Sequence, residues 1–195
     1  AMDDDLPTAA AQPESLRVLD EAARTSPNNV TLQIYRALVH LHLGDSLTAA
    51  GKLDDARVAY LDSAAISEPY LKLGHVSLLV LFMRANQRLA LNAVGRARPA
   101  DALEFAERVV RTGESPLAGT PSARAGPRGS SAMGLTYAAL VASPAGQPPD
   151  GKDAVSWLRK AAAAWQAVQS DPAFAASHRR EMRQVEDALA RLERQ

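Results

Sequence analysis

Apolar positions recur at three- and four-residue spacing along most of this 195-residue chain, the period of helices that bury one side. The pattern is clearest from Leu43 to Ala64, LGDSLTAAGKLDDARVAYLDSA. Leu43 and Gly44 lie near the end of one apolar-periodic run, with Leu47 one turn further on. Glycine inside a helix is worse than alanine by about 1 kcal/mol, so Gly44 marks a place where another backbone comes close. Gly51 supplies the left-handed conformation that ends this first helix. Asp54 and Asp55 open a second one, their carboxylates favoured at the positive end of its dipole. Ala56, Ala59, Tyr60, Ser63 and Ala64 then give a narrow face of small residues with one aromatic among them. The stretch predicts two helices folded back on each other.

The same periodicity predicts the other elements. Pro13–Ser26 reads as a helix with Leu16, Leu19, Ala22 and Ala23 on one face, broken by Ser-Pro-Asn-Asn at 26–29. Val30–Ala50 is the first helix of the hairpin. Pro69–Val94 is the most apolar helix, covered nearly all round, and Gly95 is expected to stop it. A helix of that kind is buried, or one of its sides is covered by a partner. Pro99–Arg111 is its mate, with Ala102, Phe105, Ala106 and Val109 inward. Gly113–Gly129 lacks periodicity and holds four glycines and three prolines, so it reads as a flexible insertion; Arg124 and Arg128 would make it a functional arm if it is not a plain one. Ser130–Val141 and Asp153–Gln169 form a further pair across an expanded turn at 142–150. On the second of these, Ala154, Trp157, Leu158, Ala161 and Trp165 share one face. Ala173–Gln195 is a charged last helix with a narrow apolar stripe, and Ser170 or Asp171 is a candidate cap before it.

The order Leu-Gly, glycine turn, Ala, Tyr four residues later, a small residue three later and a closing Pro69 resembles the tetratricopeptide repeat. The resemblance implies an all-α chain, a TPR-like stack of antiparallel helix hairpins, about eight helices in a right-handed solenoid with a C-terminal capping helix. The breaks at Pro27 and Pro69 lie 42 residues apart, longer than the basic repeat, so each helix gains about a turn. Leu89-Ala90 matches Leu43-Gly44 in a degenerate second copy. Met133-Gly134 followed by Tyr137 opens a third. The third copy and tail, DAVSWLRKAAAAWQAVQSDPAFAASHRREMRQVEDALARLE, together with the hairpin, also resemble the helical-repeat regions that follow the catalytic domain in some bacterial serine/threonine protein kinases. That likeness spans residues 13–67 and 130–194. It implies a regulatory region, since the chain has no Gly-rich phosphate loop, H-R-D or D-F-G.

Composition alters little of this picture. Alanine accounts for 39 residues, a bias toward helix. Cysteine is absent, which removes disulfides, thiolate metal sites and a Cys nucleophile. The start, AMDDDLPT, reads as a cloning remnant followed by an acidic linker, so residues 1–12 are expected to be flexible and 13–195 to form one domain. The chain is expected to be a piece of a longer bacterial protein, on either side of a membrane. Its longest apolar run, Val76–Met83, is far short of a span, so no membrane contact by this piece is expected. Net charge is zero but unevenly spread: residues 1–70 are acidic, 71–128 basic. A neutral whole argues against nucleic acid as a partner.

Candidate chemistry is sparse. His40 and His42, two apart on a helix, point to different sides, so one should pack and the other be exposed. His75 and His178 stand alone, without a metal-ligand set. Trp157 and Trp165 fill the core between repeats or stack on a ligand. No catalytic constellation, metal site or cofactor site is visible. What remains is surface. In stacked hairpins the first helices line the concave side, which nominates Asp45 and Thr48, then Arg84, Gln87 and Arg88, then Ser131 and Leu135 as binding positions. Arg84 and Arg88 could clamp a carboxylate or be solvated. The expected function is a non-catalytic scaffold for a protein or peptide, including self-association; the alternative is a sensory domain enclosing a small apolar ligand between the helix pairs.

Overall fold

The structure, a computed structural model, describes residues 12–115, 125–143, 151–170 and 176–194. Residues 1–11 of the linker expected over 1–12, the central part of the insertion at 116–124, most of the expanded turn and the candidate cap Asp171 lie outside them, while Gln12 begins the first helix. Among the described residues all regular structure is helical: α1 (Gln12–Thr25), α2 (Val30–Ala49), α3 (Leu53–Ser67), α4 (Val76–Gly95), α5 (Pro99–Glu114), α6 (Ala125–Val141), α7 (Gly151–Val168) and α8 (Ala176–Leu192). The chain divides into two compact units, and the boundary between Ala85 and Asn86 falls inside α4.

In the first unit α1 packs on α2 and α2 on α3. Asn29 caps α2, its side chain accepting from the Leu32 amide at 3.2 Å, which satisfies one of the orphan donors of the first turn. Arg36 on α2 donates to Asp20 on α1 at 2.8 Å. Gly51 takes φ +74°, and the Lys52 amide donates back to the Leu47 carbonyl at 2.9 Å, closing α2 with a Schellman-type turn. Ala56, Ala59, Tyr60, Ser63 and Ala64 are all buried, as their spacing requires. Gly44 is buried against the ring of Tyr60 rather than against backbone. A Cβ at this position would lie 2.5 Å from Tyr60 Cδ1 and 2.9 Å from its Cζ.

In the second unit α6 is the central helix, packed on α5, α7 and α8. Its residues 127–134 are buried without a break. Gly129 lets it reach α5, where an added Cβ would meet Val110 Cα at 3.0 Å. Gly134 does the same toward α7, with Leu158 Cγ, Cδ2 and backbone N all at 3.0 Å from such a Cβ. Ala154, Leu158, Ala161 and Trp165 of α7 are fully buried, and Val185 and Ala188 of α8 pack with them.

Several sequence expectations shift. The single helix expected over Pro69–Val94 is two elements, a 3-10 segment at Glu68–Leu73 and then α4. Gly74 at φ +70° separates them, a turn that the apolar spacing on either side of it does not signal. α4 carries Gly95 in its last turn and ends through Ala97, a non-glycine at φ +56°. There the Arg98 amide donates to the Ala93 carbonyl at 2.9 Å, repeating the turn around Gly51. The expected insertion is shorter at both ends, because α5 takes in Gly113 and Glu114 while α6 takes in Ala125–Gly129. Pro127 is tolerated there because first-turn amides have no intrahelical acceptor. Arg128 therefore belongs to a helix, not to a loop arm. Trp157 is half-buried, with Lys160 Nζ 4.7 Å from its ring centroid, and does not share the buried face of Trp165.

The Gly44–Tyr60 contact predicts a sign reversal. Gly44→Ala alone should lower stability in urea melts by about 1–3 kcal/mol through overpacking, despite a propensity gain of about 1 kcal/mol. In a Tyr60→Ala background the same change should stabilise. Equal effects in both backgrounds would mean that the ring does not set the spacing of the two helices.

Candidate interaction surface

The nominated positions fall into three environments. Asp45 and Thr48 sit on the last two turns of α2 over the phenol of Tyr60. The Tyr60 hydroxyl donates to Asp45 Oδ1 at 2.8 Å and lies 3.0 Å from Thr48 Oγ1. Both side chains hold the ring that Gly44 admits; Thr48 is exposed and Asp45 half-buried. On α4, Arg84, Gln87 and Arg88 are half-buried. The two arginines are one turn apart and so lie along one side of the helix.

The third pair is internal. Ser131 is buried, donates to the Pro127 carbonyl at 2.7 Å and accepts from Trp165 Nε1 at 2.8 Å. Leu135 is half-buried against the core of α7 and α8. The nomination of Ser131 for a concave binding surface is therefore corrected. The central place of α6 buries its small-residue side, and the hydroxyl satisfies an indole that would otherwise be an unpaired buried donor. Arg128 is buried beside it and pairs with Glu181 of α8 at 3.1 Å, while the His178 ring lies 6.0 Å from that of Trp165. Sequence reasoning missed this cluster because it read Gly126–Gly129 as loop.

The histidines also differ from expectation. His40 and His42 are both half-buried, where one exposed ring was expected. His40 Nδ1 lies 3.6 Å from Asp62 Oδ2 across the α2–α3 pair. Burial holds its pKa below the usual 6.5; Arg36 pushes the same way, while Asp62 and Asp20 oppose both. His75 meets Tyr70 edge-on at 5.7 Å. Among the described residues no group of three or more His, Cys, Asp or Glu could hold a metal ion. No described helix is long and apolar enough to cross a membrane. Large exposed apolar side chains include Val18, Tyr35 and Val58 in the first unit. No protein-family model matches this chain, and neither a curated protein nor a solved structure matches it significantly.

Two measurements check these environments. Ser131→Ala leaves the Trp165 N–H buried without its acceptor and should lower stability by about 1–3 kcal/mol. In a Trp165→Phe background the same change should be close to neutral, and an undiminished loss there would separate the serine from the indole. For His40 the folded pKa lies below the unfolded one, so the unfolded chain binds its proton first as pH falls. The contribution of His40 is fully present above about pH 6.5 and is lost as pH drops toward the folded pKa. Urea melts at pH 7.5 and 5.5 should thus show a smaller loss for His40→Gln than for the unmodified chain, and a larger one for Asp62→Asn. Identical pH dependence in all three would remove His40 as the titrating group.

Proposed function

We propose that this chain is a non-catalytic, TPR-like helical-repeat module that binds a protein or peptide. Within a larger bacterial signalling protein, it would be a regulatory region of the kind that follows a serine/threonine kinase domain. The observation that carries this reading is repetition of one packing device. A glycine on the first helix of a pair admits a large side chain of the second, at Gly44 with Tyr60 and again at Gly134 with Leu158. The turn that closes α2 recurs at the end of α4. Stacked hairpins built this way keep their interiors generic and leave recognition to the solvent-facing positions of each helix.

Of the nominated positions, Arg84, Gln87 and Arg88 of α4 and the exposed Thr48 are the ones a partner would use. Two guanidinium groups one turn apart suit a carboxylate-bearing peptide. The test is a peptide array spanning acidic to basic sequences, followed by calorimetry on the hits. Saturable binding of acidic peptides with Kd of about 1–100 µM is expected, and Arg84→Glu/Arg88→Glu should weaken it at least tenfold while circular dichroism stays unchanged. An array without specific hits, or binding indifferent to the two arginines, would overturn the reading.

A further inference from the structure

We propose that the chain associates with a second copy of itself, the exposed basic face of α8 in one copy docking on the exposed acidic face of α3 in the other. At 100° per residue, the exposed positions Arg179, Arg180, Arg183 and Arg191 of α8 fall within an arc of about 120°, with Asp187 the one acid among them. Glu186, half-buried, borders that face about 20° beyond Arg179, and two further carboxylates, one in α8 and one just after it, are engaged by other helices. Glu181 is held by the buried Arg128, and Glu193 by Arg159 at 2.7 Å. No hydrogen bond or ion pair joins Arg179, Arg180 or Arg183 to another described residue. Arg179 and Arg183 stand at i and i+4, a spacing at which like charges repel. The first turn of α8 has no acid, whereas α3, α5 and α7 all begin with one. On its own the basic face is unfavourable to the helix that carries it, and an anionic surface laid against it removes the repulsion.

The chain carries a surface of that chemistry. The exposed positions of α3 are Asp54, Asp55, Val58, Asp62 and Ala65, within an arc of about 100°. They include no base, and Val58 is 56% exposed at their centre. The three carboxylates run about 12 Å along the helix and the arginines about 18 Å, so two helices laid side by side bring several opposite charges together. Equal numbers of acidic and basic residues, 22 of each, leave no long-range repulsion between copies to overcome. Placing the contact between copies needs no particular disposition of the two units within one chain. A head-to-tail arrangement using one such contact at each step satisfies this chemistry.

Sedimentation equilibrium of the full chain tests this. At low salt the weight-average mass should rise with concentration above 20.7 kDa and fall back to it in about 1 M NaCl, where screening extends only about 3 Å. Arg179→Glu/Arg183→Glu and Asp55→Lys/Asp62→Lys should each weaken association at least tenfold, with circular dichroism confirming the fold. Mixing the two variants should restore it, because each then supplies the face that the other has inverted. The neutral Asp55→Asn/Asp62→Asn should weaken association less than the lysine pair. A chain that stays monomeric at all concentrations would overturn the proposal, as would association that neither variant changes or that mixing fails to restore. Binding of the arginine face to anionic vesicles or RNA without self-association would overturn it too. The inference rests on the scaffold reading for its class of partner. A monomer that still binds acidic peptides through α4 would overturn this proposal and leave that reading standing.

Discussion

Two helices of a pair can approach closely only where one offers a small residue to the large residue of the other, and this complementarity sets the register of the chain. At the first pair the small partner is Gly44 and the large one Tyr60; at the third they are Gly134 and Leu158. Alignment of the turns at Gly51 and Ala97 places Ala90 where Gly44 stands and Ala106 where Tyr60 stands. Both alanines are fully buried, and the aromatic of α5, Phe105, stands one position earlier. Loss of the glycine and loss of the ring thus occur together. A glycine opposite a small residue would leave a void, and an alanine opposite a ring would overpack. Either fault lowers stability by about 1 kcal/mol or more.

Close approach also decides where the polar atoms go. An alanine-rich interior has little side-chain bulk, so its helices lie near enough for short hydroxyls to reach across. Ser63 of α3 donates to the Ala37 carbonyl of α2 at 2.8 Å. Ser67 and Thr136 donate to carbonyls four residues back on their own helices. Ser131 does both, bonding back along α6 and receiving the indole of Trp165 from α7. Each hydroxyl is buried and satisfied, which is the condition for placing it there at all. The pairing of hydroxyl and backbone rigidifies the hairpins without long side chains.

Sequence pattern reads such a chain well where the rule is local. The hairpin faces around Ala56–Ala64 and Ala102–Val109 follow from spacing alone, and Gly51 announces its turn because only glycine enters the left-handed region freely. Reading fails where tertiary packing overrides the local signal. Gly126, Pro127 and Gly129 look like loop, yet they begin a helix because Gly129 must lie against Val110. Ala97 takes a left-handed conformation at a cost of roughly 1–2 kcal/mol, and nothing in its own chemistry reveals that. Ser131 looked like a surface residue by its place in the repeat, but α6 has neighbours on three helices, which no single-helix period encodes. The candidate site was legible as a set of helix positions and not as a set of exposures.

Because the packing device uses alanine, glycine and serine wherever it recurs, the interior distinguishes one hairpin from the next only weakly. What distinguishes one helix from the next is what it presents to solvent, and there the chain is sharply sorted. The exposed side of α3 is acidic with an apolar centre, while that of α8 is basic. On α1 the charges are instead paired along the helix, Arg17 with Glu14 and Arg24 with Glu21. Local pairing of that kind neutralises a face and makes it indifferent to partners. On α8 no such pairing joins Arg179, Arg180 or Arg183 to another described residue, and on α3 Asp62 reaches across to His40 at 3.6 Å instead of along its own helix. The distribution of charge pairing thus differs from helix to helix, although the whole chain carries no net charge.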